Sequence, residues 1–400
     1  MFKFKYSLLE PRIGRLKSLI LAISIYGIIT PALAASDAHL KGKFGPLHDW
    51  PIIPIAMMLM PDGRIFAYGT NTDGEQGAKL HYAIWNPLAG TGASAFETLT
   101  NTTNTDIFCA AQALIPGSGH ALLVGGDAMV SGQRNYGNNN VNIFNPNADA
   151  LVRQSQNMAF KRWYATAVTL ANGEHAILGG RNSKYWIGTS TYSSIPEVRA
   201  KNGNWRSLSS ASSEVAYGEI GGDSWFYPRA WVNPQGKLFI LGHSGAMYKL
   251  DTSGTGTLTR YAKKTASGGY TLPSVMFAPG RILSIRRDRV AVVVNINGAG
   301  EPVVSSAGFL TEDRRHGNTT VLADGQVWVN GGSTTGNTPT GMILTSELWN
   351  PGTGKWTTTA SAAKARLYHS ASILLPDGSV LTGGGGAPGP IQLNGEIFYP

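Results

Sequence analysis

One hairpin pattern recurs seven times along this chain at a spacing of roughly 50 residues, a period that signals a ring of blades. Each copy is a small residue, an apolar run, a turn glycine, a second apolar run, then Gly-Gly or Gly-X. The copies read MMLMPDGRIFAYGT from Met57, AQALIPGSGHALLVGGD from Ala111, TAVTLANGEHAILGG from Thr166 and AWVNPQGKLFILGH from Ala230. They continue with a degenerate SVMFAPGRILSI from Ser274, then NTTVLADGQVWVNGG from Asn318 and SASILLPDGSVLTGGGG from Ser370. The glycine supplies positive φ and the flanking runs are strand-like, so each copy predicts a β-hairpin. A third strand ends in aromatic-Asn-Pro at Trp85-Asn86-Pro87, Phe144-Asn145-Pro146 and Trp349-Asn350-Pro351, and a fourth follows, as at 204–208 and 355–358. Four strands per copy predict an all-β, seven-bladed propeller with kelch-like repeats.

The seventh copy stops at Phe398-Tyr399-Pro400 without a fourth strand. Open sheet edges invite aggregation, so a ring must cover both ends of its chain. Asp49-Trp50-Pro51-Ile52-Ile53, ahead of the first copy, predicts the closing strand, with Trp50 packed in the last blade. The propeller then occupies 45–400, behind a linker at 35–44. The 50 glycines and 14% charged residues suit short strands and tight turns, and 400 residues can bury a stable core.

The first residues read as a leader. Lys3, Lys5, Arg12, Arg15 and Lys17 precede an apolar stretch from Leu19 to Ile29, and Ala32-Leu33-Ala34 has the A-x-A form of a cleavage site. Residues 1–34 are therefore expected to be a signal peptide, and the mature chain to be secreted or periplasmic, with no stable membrane insertion. The stretch is shorter than the ~20 residues of a spanning helix. Losing these residues lowers the net charge from +9 to about +5, since five Lys/Arg and one Glu lie there. The densest basic cluster, Arg286-Arg287-Asp288-Arg289, reads as a solvated loop, and no nucleic-acid motif is present.

Aligned on the turn glycine, the residue nine positions earlier is Pro54, Tyr164, Tyr227, Thr271, His316 or His369, and Cys109 is the equivalent in the second copy. The chain holds one Cys, 15 Tyr and 8 His among 400 residues, so seven random positions would hold fewer than one of them; this column holds five. The column begins each blade's innermost strand, which places all seven residues at one end of the central channel. With Tyr368 beside His369, imidazole and phenol oxygen together suit a copper or iron ion. A metal acidifies a bound phenol, so Tyr can ligate at neutral pH. A nucleophilic triad fits less well: no Ser sits in a strained elbow, and Cys109, the sole cysteine, has no aligned carboxylate orienter.

Three segments carry a family resemblance: Asp106-Ile107-Phe108-Cys109, Arg162-Trp163-Tyr164-Ala165-Thr166, and Arg366-Leu367-Tyr368-His369-Ser370 with its LLPDG and GGGG. In this order and register the chain resembles the galactose oxidase/glyoxal oxidase family of copper radical oxidases over about residues 45–400. WFYPRAW from Trp225 looks most like bacterial glyoxal-oxidase-like members. The resemblance implies a Cys109–Tyr164 thioether, oxidised to a tyrosyl radical. It also implies Tyr164, Tyr368 and His369 as copper ligands, with Tyr368 as the base. Cys109, Tyr164 and Tyr368 would then be the catalytic residues. The implied reaction oxidises a small alcohol, aldehyde or carbohydrate with O2 and releases hydrogen peroxide, in a monomer. The residues alone also allow a non-catalytic kelch propeller that binds glycans or proteins through its loops.

Two departures from the family pattern matter. The family covers its cross-linked ring with an aromatic or His side chain; Asn182 stands at about that position, leaving Trp186 and Trp225 as candidates. The family also carries a β-sandwich domain after the propeller, which supplies the second His ligand. The sequence stops at that junction, so either it is a fragment or the copper site is incomplete. His316 and Tyr227 are expected to pack around the site rather than ligate, Arg229 to pair with a carboxylate or reach solvent sooner than to contact substrate, and His120, His175 and His243 to be structural.

Overall fold

The computed structural model describes residues 37–184, 191–217 and 224–400. The expected leader at 1–34 and Trp186 lie outside the described residues. From Asp37 to Pro400 the chain is one unit, and its described residues form seven antiparallel blade sheets, six of four strands in chain order and one of three strands completed by two short N-terminal strands, besides a separate two-stranded hairpin. The first blade is typical: Ala56–Leu59, Ile65–Tyr68, His81–Trp85 and Phe96–Thr100 run from the axis outward. The seven-bladed propeller predicted from the repeats is therefore present. The second blade carries an inserted hairpin, Asp127–Val130 with Gln133–Gly137.

Burial explains the apolar runs. The second strand of a blade is covered by neighbouring blades on both faces, and Ile65–Tyr68, Ala121–Val124, Leu238–Leu241 and Val380–Gly384 are buried throughout. The outermost strand meets water, and Thr257–Lys264 is mostly exposed. Blades join through aromatic contacts such as Phe66 stacked on Phe144 at 4.2 Å. Each large side chain buried this way contributes about 1.5–3 kcal/mol.

The ring closes through the N-terminal residues, but upstream of the predicted strand. Lys43–Phe44 pairs with Tyr399 and Phe398, and His48–Asp49 pairs with Gly395 and Asn394. The strand expected at 49–53 thus ends at Asp49, and part of the expected linker at 35–44 belongs to the last blade. Trp50, 3% exposed, packs at the seam with the first blade, edge-on to Phe96 at 5.0 Å and beside Trp85, with Leu375 and Leu381 in the same cluster. The register differs because Pro51 has no N–H to give a ladder, whereas Phe44 finds an aromatic site between Trp328 and Phe398.

A polar frame was not legible as such. Arg162, Arg314 and Arg366 are fully buried, and each pairs with a glutamate on its own blade's third strand: Glu197, Glu347 and Glu396, at 2.8–3.1 Å. Each also donates to the carbonyl of a glycine in the Gly-Gly signature: Gly179, Gly331 and Gly384. Those glycines let blades approach. Gly331 has φ +66°, a Cβ there would meet the Arg366 carbonyl at 2.5 Å, and the next N–H, of Gly332, donates to that carbonyl. Of the run expected to be a solvated loop, Arg287, Asp288 and Arg289 are exposed, but Arg286 is buried and donates to the carbonyls of Ala266, Gly242 and His243, tying the fifth blade to the fourth. Among the described residues no helix is long and apolar enough to cross a membrane.

Candidate functional site

The column residues share an unusual backbone. Cys109, Tyr164, Tyr227, His316 and His369 all have positive φ, between 45° and 66°. For a residue with a Cβ this costs roughly 1–2 kcal/mol, and such strain concentrates at functional sites. Hydrogen bonds from blade to blade hold it. The Tyr164 N–H donates to the Cys109 carbonyl, Tyr227 to Tyr164 and His316 to Thr271. Each left-handed bend falls where the chain enters a blade's innermost strand, so the column is a ring of turned residues around the axis.

Within that ring the structure brings together the four residues singled out by sequence. The Tyr164 and Tyr368 hydroxyl oxygens are 2.5 Å apart, in hydrogen-bond contact. Cys109 Sγ lies 3.8 Å from His369 Nε2, across 260 positions of sequence. Cys109 and Tyr164 share one buried cluster, with Tyr227 packed against it. His369 Nδ1 is 2.7 Å from the Gly386 carbonyl. A carbonyl only accepts, so the ring proton sits on Nδ1 and Nε2 keeps its lone pair toward the sulfur, the arrangement that orients a metal-binding imidazole. The Tyr368 and His369 rings stack at 3.8 Å.

Electrostatics favour neutral groups here. Burial, reinforced by Cys109 and neighbouring tyrosines, pushes the Tyr164 phenol well above its usual range, and burial does the same to Tyr368. Burial also raises the Cys109 thiol, so it is not the thiolate a nucleophilic cysteine requires. His369 is pushed down to about 4 by burial. Two phenols, one thiol and a neutral imidazole with an available lone pair form a donor set suited to a soft or borderline transition metal, while a hard ion would want carboxylates. Among the described residues no three His, Cys, Asp or Glu converge on a metal site, so the phenols would have to be ligands.

Other residues settle differently from expectation. The ring lying flat on Tyr164 is Phe226, at 4.3 Å and 19°; Trp225 meets Tyr164 edge-on at 6.0 Å. Asn182 is engaged through its backbone with Gly137 and Thr191. Phe226 was overlooked although it stands between two noted aromatics in WFYPRAW. Tyr227 sits edge-on to Tyr164 at 5.1 Å, and the His316 ring is 5.1 Å from that of Tyr368. Arg229 is half-buried on the wall of a cavity and pairs with no carboxylate among the described residues: it donates to the Tyr270 and Leu272 carbonyls, and burial lowers it to about 10. Asp106 and Asp127, both bonded to Arg134, frame the Cys109 turn; Asp106 accepts from the Phe108 N–H, and the Asp127 N–H donates to the Phe108 carbonyl.

Two cavities meet the cluster. One, of about 580 Å³, is lined by Tyr164, Tyr368, Trp163, Trp225, Phe226 and Arg181 among others. The second, of about 530 Å³, follows the axis and is lined by Tyr227, Arg229, His316, Asn318, Tyr368 and His369 among others. Phe226 and Tyr368 belong to both walls.

No family model matches the chain. Galactose oxidase of Gibberella zeae is 26% identical over 399 residues, covering 90% of this chain and 55% of that protein. Aldehyde oxidase GLOX1 of Arabidopsis thaliana is 24% identical over 285 residues, covering 61% of this chain and 43% of that protein. The chain spans about half the length of the curated relatives it matches. Among solved structures, one described as a novel fungal alcohol oxidase with catalytic diversity among the AA5 family, in complex with copper, superposes with a TM-score of 0.75 at 23% identity. It covers 90% of this chain and 76% of that one, a likeness of fold.

Proposed function

We propose that this chain, which belongs to the galactose oxidase/glyoxal oxidase family, is the propeller portion of an exported copper radical oxidase acting on primary alcohols or aldehydes. The observation that carries the proposal is the 2.5 Å contact between the Tyr164 and Tyr368 hydroxyls, with Cys109 and His369 beside them. Export rests on the leader pattern of residues 1–34.

Tyr164, Tyr368 and His369 Nε2 would hold the copper. Bound copper would supply a one-electron acceptor and an acidifying centre for a substrate hydroxyl. Tyr368, ionised in that state, takes the hydroxyl proton. Tyr164, once joined to Cys109 through a thioether and oxidised by one electron, would take the hydrogen atom from carbon. The alcohol thereby gives up two electrons and two protons, and O2 accepts both pairs and leaves as hydrogen peroxide. Phe226 lies flat on the Tyr164 ring and screens it from water. The Gly386 carbonyl keeps His369 in the tautomer that leaves Nε2 available.

Copper(II) titration followed by visible absorption tests the proposal. Binding of one equivalent with a phenolate-to-copper band, abolished in His369→Ala, is the expected result. Absence of binding, or binding unchanged by His369→Ala, would count against it.

A further inference from the structure

We propose that Arg181 recognises an anionic group, so that the substrate is a primary alcohol or aldehyde carrying a carboxylate; this rests on the site proposed above. Arg181 ends the second strand of the third blade, His175–Arg181, directly after Gly179-Gly180. It lines the cavity of about 580 Å³ that also exposes Tyr164 and Tyr368. Lys184 is the other charged side chain lining that cavity, and no Asp or Glu lines it among the described residues.

The guanidinium is held in place by aromatic faces. It lies 4.7 Å from the Trp225 ring centroid and 5.3 Å from that of Tyr192, and Trp225 is itself in edge contact with Tyr164. Its Nε and one terminal nitrogen donate to the Ser183 and Lys184 carbonyls. An arginine has five N–H donors, so these bonds leave others for a ligand. Arg162, Arg314 and Arg366 each have a glutamate, whereas Arg286 and Arg229, like Arg181, are met by backbone carbonyls. Among the described residues Arg181 meets backbone acceptors and aromatic faces and no carboxylate, and it stands in a cavity beside the two phenols. A planar, pre-organised guanidinium of that kind suits a carboxylate, which it can bind with two parallel hydrogen bonds. Because Trp225 stands between Arg181 and Tyr164, the carboxylate belongs several bonds from the carbon oxidised.

The test has two arms, using 5-hydroxypentanoate and the matched neutral 1,5-pentanediol. In metal-free protein, binding is read from tryptophan fluorescence, since Trp225 touches Arg181. The hydroxy acid is expected to bind about 10-fold or more tighter than the diol, as a charge-assisted hydrogen bond allows, and high salt should erode the difference. Arg181→Gln should bring the two affinities to within about 3-fold of each other, and Arg181→Lys should keep part of the preference. In copper-loaded protein, the ratio of kcat/KM for acid over diol should fall about 10-fold or more in Arg181→Gln. Equal binding of acid and diol by the native protein, or a preference unchanged in a folded Arg181→Gln, would overturn the proposal. If Arg181→Gln does not fold, the native preference and its salt sensitivity decide. Oxidation of neither substrate alongside tight acid binding would sink the oxidase reading and leave the anion site standing.

Discussion

The hydroxyl oxygens of Tyr164 and Tyr368 are 2.5 Å apart although 204 positions of sequence separate them. The Tyr164 phenol is buried and the Tyr368 phenol half-buried, and the hydroxyl of each has the other as its hydrogen-bond partner. Removing one hydroxyl leaves its partner unsatisfied, at about 1–3 kcal/mol, whereas removing both costs less than the sum. Chemical denaturation of Tyr164→Phe, Tyr368→Phe and the double variant, all metal-free, should therefore show strong non-additivity. Strict additivity would mean that the two hydroxyls are not coupled.

Phe226 lies flat on Tyr164 at 4.3 Å. Phe226→Leu should lose about 0.5–1.5 kcal/mol of ring–ring contact and raise the potential needed to oxidise Tyr164, read by electrochemistry of the copper-loaded protein. Trp225→Leu, removing only an edge contact with that ring, should shift the potential less. The opposite ranking would return the covering role to Trp225.

Arg366 is buried against Glu396, two positions before Tyr368. Glu396→Ala leaves that guanidinium without its counter-charge and is expected to cost about 3–5 kcal/mol in urea unfolding. A loss below about 1 kcal/mol, the range of an exposed pair, would show that the ion pair does not anchor the Tyr368-His369 segment.

Acid should loosen the closing strands. Burial lowers the His48 pKa from its ordinary 6.5, and Nε2 accepts from the Trp50 indole. The unfolded chain then binds the proton more readily than the folded one. The stabilisation is complete above the unfolded pKa and is lost as pH falls below about 6.5 toward the depressed folded value. Amide exchange over 43–49 should accelerate between pH 7.5 and 5.5 beyond the intrinsic trend, and His48→Gln should flatten that response. Equal sensitivity in both proteins would remove His48 from the account.

The seven blades were legible because repetition exposes register, and the same alignment put Cys109, Tyr164 and His369 in one column, with Tyr368 beside His369. Once hairpins align on the turn glycine, an excess of Cys, Tyr and His in one column stands out. The closing strand was misplaced by a few residues because strand-like content at 49–53 competes with 43–49, and only the partner strand Asn394–Tyr399 decides which one pairs. Phe226 was hidden for a different reason. Its neighbours Trp225 and Tyr227 have the same composition signal, and only the left-handed turn at Tyr227 determines which ring faces Tyr164. The Arg–Glu frame was invisible because Glu197, Glu347 and Glu396 look like ordinary strand polar residues until the fold encloses them. Arg286, the buried member of a charge-dense run, misled in the reverse direction.

Mass spectrometry of the copper-treated protein tests the central claim most directly, because it asks whether Cys109 and Tyr164 become one cofactor. Aerobic copper treatment should give the loss of two hydrogens and a covalent peptide joining Cys109 to Tyr164, with no such product in Tyr164→Phe. An intact mass without that loss, with Cys109 recovered as a free thiol, would contradict it.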